Sequence, residues 1–329
     1  MAAIALASRE RRISAPLRWL GAEIVRFVPV ALLSTIIVFG ITALAPANVA
    51  ATIAGETATP AQIAAINHQL GLDRSVPAQY ASWLWKALHG NLGVSYFTRI
   101  PVLTSIEQAF PVDLSIVLGA TLIAVITGFA GGLIAAVRPN GLVDRLITGL
   151  ASIALALPEF WFGILLTIFL AVKLRLFPAS GYVTTSMSLE GWARHIVLPS
   201  VTLAAPVAAV VARQLRISVI KELEENYVTG VVVRGFSRRR ILFKHVLRNS
   251  AAPTVATIGL YVPSLLGGAV IAEIVFALPG LGQLALNAAQ AHDIPVIQGV
   301  LLVTIAVVLL SNLAVDALLG WLRPGVRRS

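Results

Sequence analysis

The sequence predicts an all-α polytopic membrane protein with six transmembrane helices, and three observations lead to this fold class. Of its 329 residues, 57% are hydrophobic and only 12% are charged, with a mean hydropathy of +0.86. A soluble domain carries about 25% charged residues and rarely builds one core beyond about 250–300 residues. Six apolar stretches approach or exceed the length of about 20 residues that a membrane helix needs. Finally, Lys and Arg concentrate in alternate connections between these stretches.

The predicted spans carry few charges. They cover residues 27–45, 114–137, 146–172, 196–212, 250–272 and 294–315. Helix is the expected form because lipid offers no hydrogen bonds to an open backbone. The prolines in these spans are expected to kink the helices or to lie near their ends.

The first span has a second interpretation, as a cleavable signal peptide. Basic residues precede it, and Ala43-Leu44-Ala45 resembles a cleavage site. The apolar run exceeds the usual length of about 7–15 residues in a signal peptide, which favours a retained span. Cleavage would leave five spans with the same downstream topology.

The distribution of basic residues predicts the orientation. Most of the 25 Lys and Arg residues lie before the first span, between the second and third, between the fourth and fifth, and after the sixth. Basic connections face the cytoplasm, so both termini are expected there. This alternation argues against nucleic-acid binding, which would place basic residues on one folded surface.

Several kinds of chemistry are not expected of this chain. It has no cysteine, so disulfides and thiolate metal sites are excluded. None of its lysines follows a glycine, so the phosphate-binding G-x-x-x-x-G-K-[ST] motif is missing. The histidines are scattered, and no metal site or catalytic residue is predicted.

Two connections are too large to be simple turns. Residues 46–110 are predicted to form an external subdomain, with a helix over Thr59–Leu70 that Thr59 caps and Pro60 begins. Residues 221–248 form a basic cytoplasmic loop. Its apolar residues imply a protein partner or burial against the spans; they include Val231, Val232, Val233, Phe236 and Phe243.

An ordered series of motifs follows the chain. They are LGLD at 70–73, GNLGVS at 90–95, FPASG at 177–181, the segment 225–253, EIVFALPGLG at 273–282, HDIP at 292–295 and NLAVD at 312–316. The segment 225–253 resembles the EAA-type loop of ABC importer permeases of the dipeptide/oligopeptide class. Its matching positions are Tyr227, Val228, Gly235, His245, Leu247, Arg248, Asn249 and Pro253. It departs from the pattern at 231–234, where Ala-Arg-Ala-Lys is usual.

The resemblance implies a type I ABC importer permease fold in a prokaryotic cytoplasmic membrane. The implied organisation is a cytoplasmic leader 1–26, a first helix 27–45, an external subdomain 46–110, a five-helix core 111–320 containing the coupling loop 221–248, and a cytoplasmic tail 321–329. The chain would form half of a pathway for di- or oligopeptides. Its implied partners are a homologous second permease, two cytoplasmic ATPases that bind ATP and Mg, and an external solute-binding protein. The chain itself would bind no cofactor and would not be an enzyme.

Alternatives remain at the level of substrate and mechanism. Related permeases carry nickel chelates, glutathione or oligosaccharides, so these solutes stay open. A secondary transporter is the more remote alternative, since that class often shows repeated halves and no obvious internal repeat is present.

The candidate site residues form two groups. The group expected to couple the chain to an ATPase comprises Tyr227, Val228, Val231, Arg234, Gly235, Phe236, Arg238, His245, Arg248 and Asn249, around a short helix near 228–235. The group expected to line the pathway or a gate comprises Glu159, Glu273, Asn312 and Asp316, because ionisable residues at membrane depth are functional candidates.

Each pathway candidate has a structural alternative. Glu273 could line an outer gate or contact a peptide amino group, or it could form an ion pair or cap a helix. Glu159 could face the pathway or serve as a neutral hydrogen-bonding group. Asn312 and Asp316 share a helix face and could join two helices by a hydrogen bond or contact the solute.

Overall fold

The computed structural model describes residue 25 and residues 28–42, 49–55 and 57–322, with side chains to residue 319. The predictions for the leader 1–26 and the tail 321–329 lie almost wholly outside these residues, as do residues 27 and 43–45 of the first span. In the described part, the only β pairing is an isolated antiparallel bridge between Val94 and Pro101. The protein is therefore all-α, as the sequence predicts.

Thirteen α-helices are numbered here in chain order within the described residues. They are α1 Val28–Thr42, α2 Val49–Ala54, α3 Pro60–Leu70, α4 Val76–Leu88, α5 Val102–Val137, α6 Leu142–Ala156, α7 Glu159–Leu166, α8 Leu189–Leu223, α9 Asn226–Val233, α10 Arg238–Arg240, α11 Leu247–Phe276, α12 Leu281–Ala291 and α13 Ile294–Leu322. Two π-helical segments, Thr167–Lys173 and Ile241–Val246, extend α7 and connect α10 to α11.

Within the described residues, four helical stretches are long and apolar enough to cross a membrane. They are Val102–Val137, Leu189–Leu223, Arg238–Phe276 and Ile294–Leu319. They contain the second, fourth, fifth and sixth predicted spans. The described part of the first span, α1, is a shorter apolar helix.

The third predicted span, residues 146–172, is broken next to Pro158, one of the prolines expected to kink a span. The chain breaks after α6 and continues as α7, with the two parts bent by 108°. Pro158 lacks the N–H that a continuing helix needs, and it disfavours helical geometry at the residue before it. Leu157 is accordingly extended, with φ −78° and ψ 130°. The result is a broken span or a re-entrant pair.

The chain divides into two compact units. The first holds the described residues up to Ser105 together with Ala285–Leu309. Within it, the Tyr80 ring packs edge-on against Phe39 at 5.5 Å, and its hydroxyl lies 2.9 Å from Thr35 Oγ1. The buried Gln298 side chain donates to the Thr35 carbonyl at 3.3 Å. Contacts of α1 with α4 and α13 therefore organise this unit.

Helix α3 begins as predicted. Thr59 Oγ1 accepts from the Gln62 N–H at 3.4 Å, and Gln62 Oε1 accepts from the Thr59 N–H at 2.8 Å. This reciprocal capping box satisfies two backbone donors that a helix start otherwise leaves without partners. Pro60 occupies the first helical position, and Gly71 ends the helix with φ +71°.

The second unit holds Ile106–Leu284 and the described residues from Leu310. Its helix α8 packs against α6, α7 and α11. It also meets α5 closely, since a Cβ at Gly132 would lie 2.5 Å from the Ala212 carbonyl oxygen. Glycine here lets two backbones approach, as is common between membrane helices. The buried core includes Ile116, Leu203, Val211, Leu265 and Phe276.

Candidate functional site

The predicted coupling loop contains a short helix, α9, between the C-terminal end of α8 and the start of α10. It covers Asn226–Val233, and the chain then turns at Gly235 with φ +76°. Gly235 donates its N–H to the Val232 carbonyl at 2.9 Å. Glycine adopts this left-handed conformation without the cost that a Cβ imposes, so it gives the helix a defined end.

One face of α9 is seated on the spanning helices. Val228 is only 4% exposed and belongs to an apolar cluster whose other buried members are Ala136, Leu215, Val219, Ile241 and Val246. Val231 and Phe236 are partly buried against the same cluster. Of the two explanations that the sequence offers for the apolar residues of this loop, burial against the spans therefore applies to this face.

The rest of the α9 surface is open and carries two exposed valines. Val233 is 82% exposed and Val232 is 55% exposed. Tyr227 and Phe243 are also exposed. A solvated helix gains nothing from such side chains, whereas an interface buries them.

Polar contacts fix α9 to both neighbouring long helices. Tyr227 donates its hydroxyl hydrogen to Glu222 Oε1 at 2.6 Å, and Asn249 Nδ2 donates to the same oxygen at 2.7 Å. Glu222 lies at the end of α8 and Asn249 in the first turn of α11. Burial, reinforced by the Glu222 carboxylate, raises the pKa of Tyr227 to about 12. The contacts of Tyr227 and Asn249 with Glu222 thus fix the orientation of α9 relative to α8 and α11.

The basic residues of the loop surround the aromatic ring of Phe236. The Arg240 guanidinium lies 4.4 Å from the ring centre, and the His245 ring is 6.1 Å away. Arg234, Arg238 and Arg248 are exposed and form no ion pair with another described residue. These charges remain available to an acidic surface.

Glu159, the first residue of α7, lies at the 108° bend. It is partly buried, and its carboxylate forms no hydrogen bond or ion pair with another described residue. It lines a cavity of about 210 Å³ with side chains of α6 and α8. Its Oε2 would lie 3.0 Å from a Cβ placed on Gly268 of α11.

Glu273 occupies a different environment. It is 0% exposed, and its carboxylate accepts from the N–H groups of Gly282 at 3.2 Å and Gln283 at 2.6 Å. A Cβ at Gly280 would overlap this carboxyl group. These contacts at the first turn of α12 are those of a helix cap, one of the alternatives that the sequence leaves open.

The remaining pathway candidates lie on α13. Asn312 is partly buried and Asp316 is exposed. Between them, Val315 packs so closely on α11 that a Cβ at Gly259 would overlap its side chain. The structure therefore places this stretch of α13 against α11.

Sequence reasoning missed three buried carboxylates. Asp113 accepts from the Leu281 N–H at 2.5 Å, beside Glu273 at the start of α12. Asp144, in the first turn of α6, is held by both Nε and Nη2 of Arg216 at 2.5 and 2.6 Å. Asp293 accepts from Ser95 Oγ at 2.5 Å and from the Tyr96 N–H at 3.1 Å.

The Asp293 contacts join two motifs that are far apart in sequence. The segments 90–95 and 292–295 meet here, and Ser95 Oγ also accepts from the Phe97 and Thr98 N–H groups. Burial and the neighbouring Asp293 raise the pKa of Tyr96 to about 12. No local pattern pairs the two motifs, since 198 residues separate Ser95 from Asp293.

Comparison with known proteins gives concordant results. Residues 128–328 match the family "binding-protein-dependent transport system inner membrane component", and residues 17–117 match the N-terminal family of the same membrane component. The probable peptide ABC transporter permease protein y4tP of Sinorhizobium fredii is 36% identical, over 89% of this chain and 93% of its own length. The dipeptide transport system permease protein DppB of Escherichia coli is 32% identical, over 94% of this chain and 98% of its own length.

Solved structures agree on the fold. A chain of the MetNI methionine ABC transporter in an inward-facing conformation is similar with a TM-score of 0.53 and 16% identity, covering 67% of this chain and 97% of that one. The described helices therefore have the type I ABC importer permease fold. Apolar helices, family and fold together show a multi-pass inner-membrane protein: the chain belongs to the binding-protein-dependent transport system inner membrane components.

Proposed function

We propose that this chain is one of two permease subunits of an ATP-driven importer for di- or oligopeptides. The observation that carries the proposal is its relation to y4tP and DppB over most of its length, since those proteins are named as peptide and dipeptide permeases. The proposed partners are a homologous permease, two cytoplasmic ATPases holding ATP and Mg, and an external solute-binding protein. No ATP hydrolysis or cofactor binding is assigned to this chain.

Helix α9 is proposed to be the point where an ATPase engages the permease. The exposed Val232 and Val233 supply an apolar contact surface, and nearby Arg234 and Arg238 supply positive charge. The seated Val228 and the Tyr227–Glu222–Asn249 contacts connect this surface to α8 and α11. A rigid connection lets ATP-driven movement of the ATPases bias the spans between two arrangements.

The proposed orientation places both termini and the loop 221–248 in the cytoplasm. It follows from the concentration of Lys and Arg in alternate connections. The region 46–110 then lies outside, where it is proposed to contact the solute-binding protein or cover the pathway entrance.

Reconstitution of the complete importer in liposomes tests the function. With the ATPases and ATP inside the liposomes, and the solute-binding protein and trialanine outside, we expect trialanine to accumulate inside. A non-hydrolysable ATP analogue should abolish accumulation. Uphill trialanine transport by this chain alone would contradict the proposal and favour a secondary transporter, and ATP-driven uptake of an oligosaccharide but not trialanine would contradict the peptide assignment.

A further inference from the structure

We propose that the cavity at the bend between α6 and α7 binds the amino terminus of a peptide in transit, with Glu159 as its counter-charge. This inference rests on the peptide-import function proposed above. It assigns a site and a recognised chemical group, a primary ammonium, to a part of the molecule where a span is broken.

The first argument is the state of the Glu159 carboxylate. Asp113, Asp144, Glu273 and Asp293 are buried, and each accepts backbone or arginine hydrogen bonds. Glu159 is partly buried within an apolar stretch, yet no described residue gives its carboxylate a hydrogen bond or a positive charge. A charge in such surroundings is costly unless a partner arrives, and it is disfavoured on a lipid-facing surface. A transient cationic ligand facing the pathway supplies that partner.

The second argument is the backbone at the bend. Pro158 has no N–H, so the Ala154 carbonyl lacks the donor that normally lies four residues ahead in a helix. Ala154 lines the same cavity as Glu159. The C-terminal end of α6 also carries the negative end of the helix dipole, which favours a cation.

The third argument is the cavity lining. Thr202 Oγ1 donates to the Leu198 carbonyl at 2.8 Å, which leaves its lone pairs able to accept. Ala154 and Thr202 line the cavity with Glu159, and a backbone carbonyl and a hydroxyl are groups that can accept from the N–H donors of an ammonium. Most of the remaining lining is apolar, including Leu150, Ile153 and Phe162.

The lining favours an ammonium group over a metal ion. The volume of the cavity favours one end of a peptide over a whole peptide. Calcium takes about 6–8 oxygen ligands, and magnesium requires near-octahedral geometry. Within the described residues, no group of three His, Asp or Glu side chains could hold a metal. A volume of about 210 Å³ is small compared with cavities of about 300–1,000 Å³ that enclose whole ligands. It suits the amino end of a peptide with its first side chain.

Direct binding tests the site without interference from the solute-binding protein. The assembled importer in nanodiscs, lacking that protein, is titrated with trialanine and with N-acetyl-trialanine. We expect wild type to prefer trialanine, and Glu159→Gln to weaken trialanine binding about 10- to 100-fold, the range of one charge-assisted hydrogen bond. Binding of N-acetyl-trialanine should change less than about twofold, within ordinary context dependence. Equal loss for both peptides, no loss, or no preference in wild type would overturn the proposal.

Two adjacent glycines of α11 provide a matched pair of variants. A Cβ at Gly268 would lie 3.0 Å from Glu159 Oε2 and 3.2 Å from Leu203 Cδ2, whereas a Cβ at Gly267 meets nothing within 4 Å. Gly268→Ala should displace the carboxylate and weaken trialanine binding, and Gly267→Ala should not. Equal behaviour of the two variants would count against the site. ATP-driven trialanine uptake that is unaffected in Glu159→Gln would refute this site alone, while its absence in wild type would refute the import function.

Discussion

At the scale of single residues, the acidic side chains occupy two kinds of environment. The carboxylates of Asp144 and Glu273 accept hydrogen bonds from arginine or backbone donors, so they hold helices together. Glu159 has no such partner among the described residues and lines a cavity. Burial with full hydrogen bonding stabilises a carboxylate, whereas burial without it is tolerated where a ligand compensates.

The Asp144–Arg216 pair should be the most sensitive of the charged contacts to substitution. Asp144 is 3% exposed and Arg216 is 25% exposed, so replacing Asp144 leaves a largely buried guanidinium without its counter-charge. We expect Asp144→Asn to lower the free energy of unfolding by about 3 kcal/mol. Denaturant titration of the purified protein in detergent measures this change.

A surface ion pair serves as the control for this prediction. Glu190 and Arg194 lie 3.6 Å apart, with side chains 82% and 54% exposed. Glu190→Gln should change the free energy of unfolding by less than about 1 kcal/mol. Similar losses in the two variants would mean that Asp144 is not the specific connection between α6 and α8 that the geometry indicates.

At the scale of elements, α9 combines a seated face with an open face. Val228 packs into the cluster formed by α5, α8 and the segment leading to α11, while Val233 points away from it. A helix of eight residues is too short to be stable alone, so its position depends on these contacts. The two faces should therefore respond differently to the same substitution.

Truncation to alanine separates the two roles of α9. Val228→Ala removes buried methyl groups and should lower the free energy of unfolding by about 2 kcal/mol. Val233→Ala should change it by less than about 0.5 kcal/mol, because the side chain is exposed. In the assembled importer, however, Val233→Ala should reduce solute-stimulated ATP hydrolysis. Unchanged hydrolysis together with unchanged ATPase binding would show that the open face is not the contact surface.

The same elements explain what could be predicted from the sequence. The cap of α3 was predictable because Thr59, Pro60 and Gln62 act within one turn. A kink at Pro158 was also predictable, but the size of the 108° bend was not, because the hydropathy of 146–172 continues across Pro158 although the helix does not. Asp113 and Asp293 escaped notice because each lies just outside an uncharged run, and their partners are distant in sequence. Long-range hydrogen bonds leave no periodic signal in a single sequence.

At the scale of the whole molecule, we propose a permease whose spans are moved by separate ATPases. In the proposed division of labour, this chain holds the pathway and its partners hydrolyse ATP. The proposal depends on the open face of α9 lying in the cytoplasm against an ATPase.

Cross-linking at residue 233 tests this claim most directly, since the natural chain has no cysteine and a single one gives no background. In inside-out vesicles containing the assembled importer, Val233→Cys should react with a short cysteine-to-amine cross-linker and join this chain to an ATPase subunit. A cysteine at the exposed residue Trp85, which the proposed orientation places outside, should give no such product. Failure of residue 233 to cross-link, together with its labelling only from the external side in intact cells, would contradict the account.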